Sequence, residues 1–142
     1  AKYEFKHMEF YYFHNCLYER VWKDNRRRWT NVLNTFDLMN KFNSDYRLIM
    51  VGDAAMSPFE ISHPGGSVEH YNEESGTVWM QRITEKFKHH IWINPNPESN
   101  WNYYQSTELL KDLVNDRMFP LTIEGIQRGM KQLKLPHRAA PV

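Results

Sequence analysis

Asp53 stands directly behind a short apolar run, Leu48-Ile49-Met50-Val51-Gly52, with Tyr46-Arg47 ahead of it and the small residues Ala54-Ala55 behind. Such a run, stopped by a glycine, reads as a buried strand. In an open α/β sheet, ligands bind just beyond the carboxyl ends of the strands. A carboxylate placed there can hold a hard cation or move a proton. Two other strand ends carry polar residues. His14-Asn15 follows the aromatic stretch Met8-Glu9-Phe10-Tyr11-Tyr12-Phe13, and Asn94-Pro95 follows His90-Ile91-Trp92-Ile93. In a parallel sheet these ends share one edge, so His14, Asn15, Asp53 and Asn94 can converge on one ligand. The plainer reading is that Asn and Asp follow strands as turn formers, because their side chains bond the local backbone.

Other constellations carry less. His63, His70, His89 and His90 lie near Glu60, Glu69, Glu73 and Glu74, but His63 and His70 match neither a helical H-x-x-x-H pair nor a paired-Cys pattern, and His89-His90, just before a strand, reads as a solvated turn. Arg26-Arg27-Arg28-Trp29 is a short charge run in a chain whose net charge is only +1, so it reads as a solvated face and not as a nucleic-acid patch. His14 and Cys16 would share a strand face, yet no acid is visible to orient the imidazole. There is no G-x-S-x-G, phosphate-binding glycine loop or dinucleotide fingerprint. No assembled enzyme site is legible.

The elements that must position Asp53 follow from periodicity. With 142 residues the chain is the size of one domain, expected over residues 1–135 with a tail at 136–142. A single cysteine excludes an internal disulfide framework and fits a reducing compartment. No apolar run approaches the roughly 20 residues of a membrane span, and no signal-peptide pattern opens the chain. A cytoplasmic location is expected. The chain opens in a helical pattern at residues 1–7, which suggests a piece cut from something longer. An aromatic strand at 8–13, an edge strand at 16–22 and a basic turn at 23–28 follow. Trp29, Val32, Leu33, Phe36, Met39 and Phe42 recur at helical spacing over 29–42, a window in which Asn34 or Thr35 can cap a shorter helix. After the Asp53 strand comes a polar connection at 54–75, broken by Pro58, Pro64, Gly65 and Gly66. Then come a helix at 77–87, a strand at 90–93, a helix near 107–114, an extended stretch at 117–121, and a last helix capped by Thr122 and ending near 133. That alternation predicts an α/β fold: a doubly wound, mainly parallel sheet with helices on both faces.

Three segments are suggestive together: Phe13-His14-Asn15-Cys16, Val51-Gly52-Asp53-Ala54-Ala55-Met56-Ser57-Pro58-Phe59-Glu60, and Ile91-Trp92-Ile93-Asn94-Pro95. They resemble, in this order, the strand ends of bacterial von Willebrand factor A-like proteins of the CoxE type. The likeness runs from about residue 8 to residue 133. It implies a Rossmann-like von Willebrand A domain with a metal-dependent adhesion-type site that binds Mg²⁺ or Mn²⁺. The family's ligands come from a D-x-S-x-S loop, a Thr and an Asp. Asp53 matches the Asp. Thr35 fits the Thr if the helix starts late, and Thr30 if it starts early; Thr35 is favoured because Asn34-Thr35 reads as a helix start. No D-x-S-x-S occurs in the chain. In the family it follows a first strand that is central in the sheet, so an N-terminally truncated domain is expected, with apolar surface exposed where that strand would lie.

The resemblance implies a non-enzymatic protein-interaction domain. Its partner would be a MoxR-type AAA+ ATPase or that ATPase's client, with assembly or activation of other proteins as the outcome. Asp53 and Thr35 would be the metal ligands, and His14, Asn15, Ala54, Met56, Ser57 and Asn94 the rim that meets the partner. Cation binding by this chain alone is in doubt because two ligands are too few, and self-association of the fragment is a further expectation. Neither nucleic acid nor a membrane span is expected. The alternatives are a metal-dependent hydrolase using Asp53 with His14, His63 or His70 as acid/base, and a metal-free scaffold in which Asp53 only caps its turn.

Overall fold

The structure is a computed structural model and describes residues 7–14, 18–26, 28–65 and 72–137. Its centre is a parallel sheet of three strands, β3 (Leu48–Val51), β4 (His90–Asn94) and β5 (Met118–Pro120), in that spatial order. Leu48 pairs with His90 and Val51 with Ile93, while Trp92 pairs with Met118 and Asn94 with Pro120. All five residues of β4 are buried, as a middle strand covered on both faces requires.

Alternation along the strands sorts the core into two layers. Met50, Trp92 and Met118 face one side. They meet Trp79, Met80 and Ile83 of α3 (Gly76–Lys86) and Leu110 of α4 (Gln105–Leu113). Ile91, Ile93 and Phe119 face the other side, against Met130 and Leu133 of α5 (Ile123–Leu133). Helices therefore flank both faces, and the mixed α/β architecture with a parallel sheet is as expected. α5 lies close because two of its residues lack a Cβ. One built on Gly129 would stand 3.1 Å from the Phe119 ring and 3.2 Å from Ile91, and one on Gly125 would strike the Pro120 carbonyl.

Thr122 caps α5 as predicted, its hydroxyl accepting from Gly125 N–H at 2.9 Å. Asn34 likewise caps α1 (Thr35–Lys41), accepting from Asp37 N–H at 3.2 Å. The predicted helix over 29–42 is nonetheless corrected. Trp29–Asn31 is a single 3-10 turn, and Val32–Asn34 is a strand, β2, paired antiparallel with β1 (Arg20–Trp22). Val32 and Leu33 satisfy helical spacing and β-propensity equally well, and the partner strand decides between them. The polar connection at 54–75 also holds a short helix, α2 (Pro58–Ser62), with Pro58 in its first turn.

The aromatic stretch at 8–13 departs furthest from expectation. It is no strand of the parallel sheet; Tyr12 makes one antiparallel bridge with Trp22. Met8, Phe10 and Tyr12 turn outward while Tyr11 and Phe13 pack inward, Phe13 edge-on to Trp92 at 5.8 Å. Glu9 ties this segment to α1 through Lys41 Nζ at 3.2 Å; hydrogen bonds from His7 and Tyr11 hold its carboxyl at about 2. The predicted helix at 1–7 falls, apart from His7, outside the described residues, as do Asn15 and Cys16. No helix among the described residues is long and apolar enough to cross a membrane.

Candidate functional site

Beyond the carboxyl end of β3 the chain makes a tightly held loop over residues 52–57. Gly52 N–H continues the ladder to Ile93 O at 3.1 Å, and its carbonyl accepts from Trp92 Nε1 at 2.8 Å. A Cβ on Gly52 would press on that indole at 3.1 Å, so any larger residue here has to shift the ring by a few tenths of an ångström. Asp53 is exposed, and its Oδ1 accepts from Ala55 N–H at 3.1 Å, a local turn bond. Ala54 takes a left-handed φ of 58° and is fully buried. Its carbonyl accepts from Ser106 Oγ at 2.6 Å and Thr107 Oγ1 at 3.1 Å, while Ser106 Oγ accepts from Met56 N–H at 2.9 Å. The first turn of α4 thus clamps this loop by side-chain hydroxyls.

The loop beyond β4 is fixed in the same way. Asn94 Oδ1 accepts from Asn96 N–H at 2.9 Å, and Asn94 O accepts from Leu121 N–H at 3.0 Å. Asn96 Nδ2 reaches Asp53 O at 3.5 Å, and Asn96 O accepts from Trp101 Nε1 at 2.9 Å. The two loops are therefore joined, and the Asp53 carboxylate projects from a rigid frame.

Of the predicted rim, Ser57 is exposed and Met56 is half-buried; the predicted ligand Asp53 is exposed as well. Ala54 and Asn94 are corrections. Both are 0% exposed, because the first gives its carbonyl to α4 and the second organises its own turn, so neither side chain can meet a partner. His14 is exposed, and the segment it follows bridges antiparallel to β1 at Tyr12, so it does not close a strand of the parallel sheet. Asn15 lies outside the described residues.

Thr35 begins α1, with its N–H on Glu19 O at 2.7 Å and its side chain 3% exposed. Among the described residues its Oγ1 finds no hydrogen-bond partner, which a cation ligand would explain. The rest of a cation cage is not there. Among the described residues no three His, Cys, Asp or Glu side chains gather, and a hard divalent ion takes about six oxygens. The described residues do not by themselves fit Mg²⁺ or Mn²⁺.

The histidines are engaged elsewhere. His63 stacks on Phe59 at 4.0 Å, with Nδ1 at 3.3 Å from Phe59 O. His89 Nδ1 meets Leu133 O at 2.9 Å. His90 is wholly buried at the opposite end of the strands, Nδ1 on Phe87 O at 2.7 Å, and burial pushes its pKa down. His70 lies outside the described residues.

Sequence reasoning missed the clamp of Ser106 and Thr107 and the indole donors of Trp92 and Trp101. A Ser-Thr pair opening a helix signals a cap at best, and nothing local tells which loop it will hold. It missed, too, the apolar residues left in the open around this edge. Phe59 on α2, Tyr103 and Tyr104 before α4, and Leu121 after β5 are all exposed, Phe59 by 66% and Tyr103 by 75%. All four adjoin the loops and strand ends just described. Comparison of the chain with protein-family models, curated proteins and solved structures finds no match.

Proposed function

We propose that this chain is a non-enzymatic protein-interaction domain that meets its partner at the carboxyl edge of the sheet, around Asp53. The observation carrying this reading is the pairing of an exposed carboxylate on a rigidly held loop with four exposed apolar residues on the flanking elements. Aromatic anchors around a polar centre are what interfaces are made of. A loop already fixed by hydrogen bonds has little ordering entropy left to lose on binding. The likeness to CoxE-type proteins supplies the partner class, a MoxR-type AAA+ ATPase or its client. Mg²⁺ or Mn²⁺ belongs to this reading only with oxygen donors beyond the described residues, and docking is written without it.

The test measures binding of a purified MoxR-type ATPase to the chain by interferometry, with Mg²⁺ and with chelator. Asp53→Ala and Phe59→Ser are each expected to weaken binding by roughly tenfold. Unchanged binding in both variants moves the interface elsewhere. Phosphoester turnover that vanishes in Asp53→Ala makes the chain a hydrolase instead.

A further inference from the structure

Among the described residues β3 pairs with β4 alone, so its other edge is free. On the face that α5 covers over β4 and β5, Ile49 and Val51 remain 36% and 52% exposed. An open edge beside exposed β-branched residues is a template for another strand. We propose that this edge pairs with the same edge of a second copy, antiparallel about Met50, so that two sheets become one continuous sheet.

The ladder phase and the charges select that register. Leu48 N–H bonds His89 O at 2.9 Å and Gly52 N–H bonds Ile93 O at 3.1 Å, so the even-numbered residues turn their backbone groups toward β4. Alternate residues turn theirs the other way, which leaves Arg47, Ile49 and Val51 presenting N–H and C=O to the open edge. A second copy can bond only by setting odd residues against odd. Centring the two-fold on Ile49 sets Asp45 against the partner subunit's Asp53, opposing like charges. Centring it on Val51 sets Ile49 against the partner subunit's Asp53, an apolar side chain against a charge. Centring it on Met50 sets Ile49 against the partner subunit's Val51 and Arg47 against the partner subunit's Asp53. Both pairs then occur twice, and cross-strand pairs of these kinds are favourable. Arg47 and Asp53 are both exposed and free to meet.

Sedimentation velocity over a concentration series tests the pairing on the full chain. The wild type is expected to dimerise. Arg47→Asp and Asp53→Arg should each weaken association by roughly tenfold, since each turns two attractive pairs repulsive. The double variant, with the charges exchanged, should recover the dimer. Val51→Lys should be monomeric, and a native circular-dichroism melt shows that it is folded. A wild type that stays monomeric overturns the proposal, as does a dimer that persists in both single variants and in Val51→Lys. So does a double variant that fails to recover. Val51→Lys leaves the Asp53 loop intact, so ATPase binding retained in that variant separates this proposal from the docking reading above.

Discussion

β5 and β3 flank the same central strand, yet they are finished differently. Over β5 and β4, α5 lies so close that Gly125 has no room for a methyl group and Gly129 would hold one only tightly, and Phe119, Ile91 and Ile93 are sealed beneath it. Over β3 the same face is bare at Ile49 and Val51. Parallel strands are ordinarily covered on both faces. A strand left bare on one face and unpaired on one edge marks a place where something further fits. The closed half seals its apolar residues under a helix, and the open half leaves two of them exposed.

Breaking the closed half should have the largest effect. Gly125→Ala improves helix propensity by about 1 kcal/mol, but its methyl group strikes the Pro120 carbonyl. Overpacking of that kind costs up to about 3 kcal/mol. Urea denaturation should show a net loss near 2 kcal/mol, and a gain in stability would mean that α5 sits more loosely than described. Next is the clamp that the carboxyl edge shares with α4. Ser106→Ala leaves Met56 N–H without its acceptor and removes one of two donors to the Ala54 carbonyl, a loss of about 1–2 kcal/mol. Hydrogen exchange at Met56 should quicken in that variant.

The pH dependence is smaller and comes from the amino end of the closed half. His90 packs against Phe87, Val114, Arg117 and His137, and burial first of all lowers its pKa from 6.5. The unfolded chain takes up that proton near 6.5, the folded chain only at lower pH. Stability from the neutral ring is thus complete above 6.5 and declines as pH falls below it, by at most about 1.4 kcal/mol per pH unit. His137 shifts the same way. His90→Gln should flatten the slope between neutral and mildly acid pH, and an unchanged slope would assign it to other groups. The smallest effect belongs to the open half. Val51→Thr, on an exposed site, should change monomer stability by less than about 0.5 kcal/mol. A larger loss in a dilute thermal melt would show that β3 is covered after all.

Much of the fold was legible because its signals are local. The run at 90–93, the caps at Asn34 and Thr122, and the placement of Asp53 just past a strand each need only a few neighbouring residues. The candidate site was legible only in part. Asp53 and Ser57 are exposed, whereas Ala54 and Asn94 turned inward because their hydrogen-bond partners, Ser106, Thr107 and Asn96, are set by how the loops and α4 pack. The exposure of Phe59 and Tyr103 was equally hidden, since composition marks aromatic residues first as core material.

By itself, then, the sequence determined the three strands of the parallel sheet, the helices α3, α4 and α5, the cap at Thr122 and the acid at the end of β3, all of which follow from short-range pattern and propensity. Tertiary structure alone decided three things. Among the described residues, the stretch at 8–13 contributes a single bridge and not a ladder, Val32–Asn34 is strand and not helix, and β3 is paired on one edge only. The physical reason is common to all three. A strand is defined by its partner's hydrogen bonds and covering face, and neither is written in the strand's own residues.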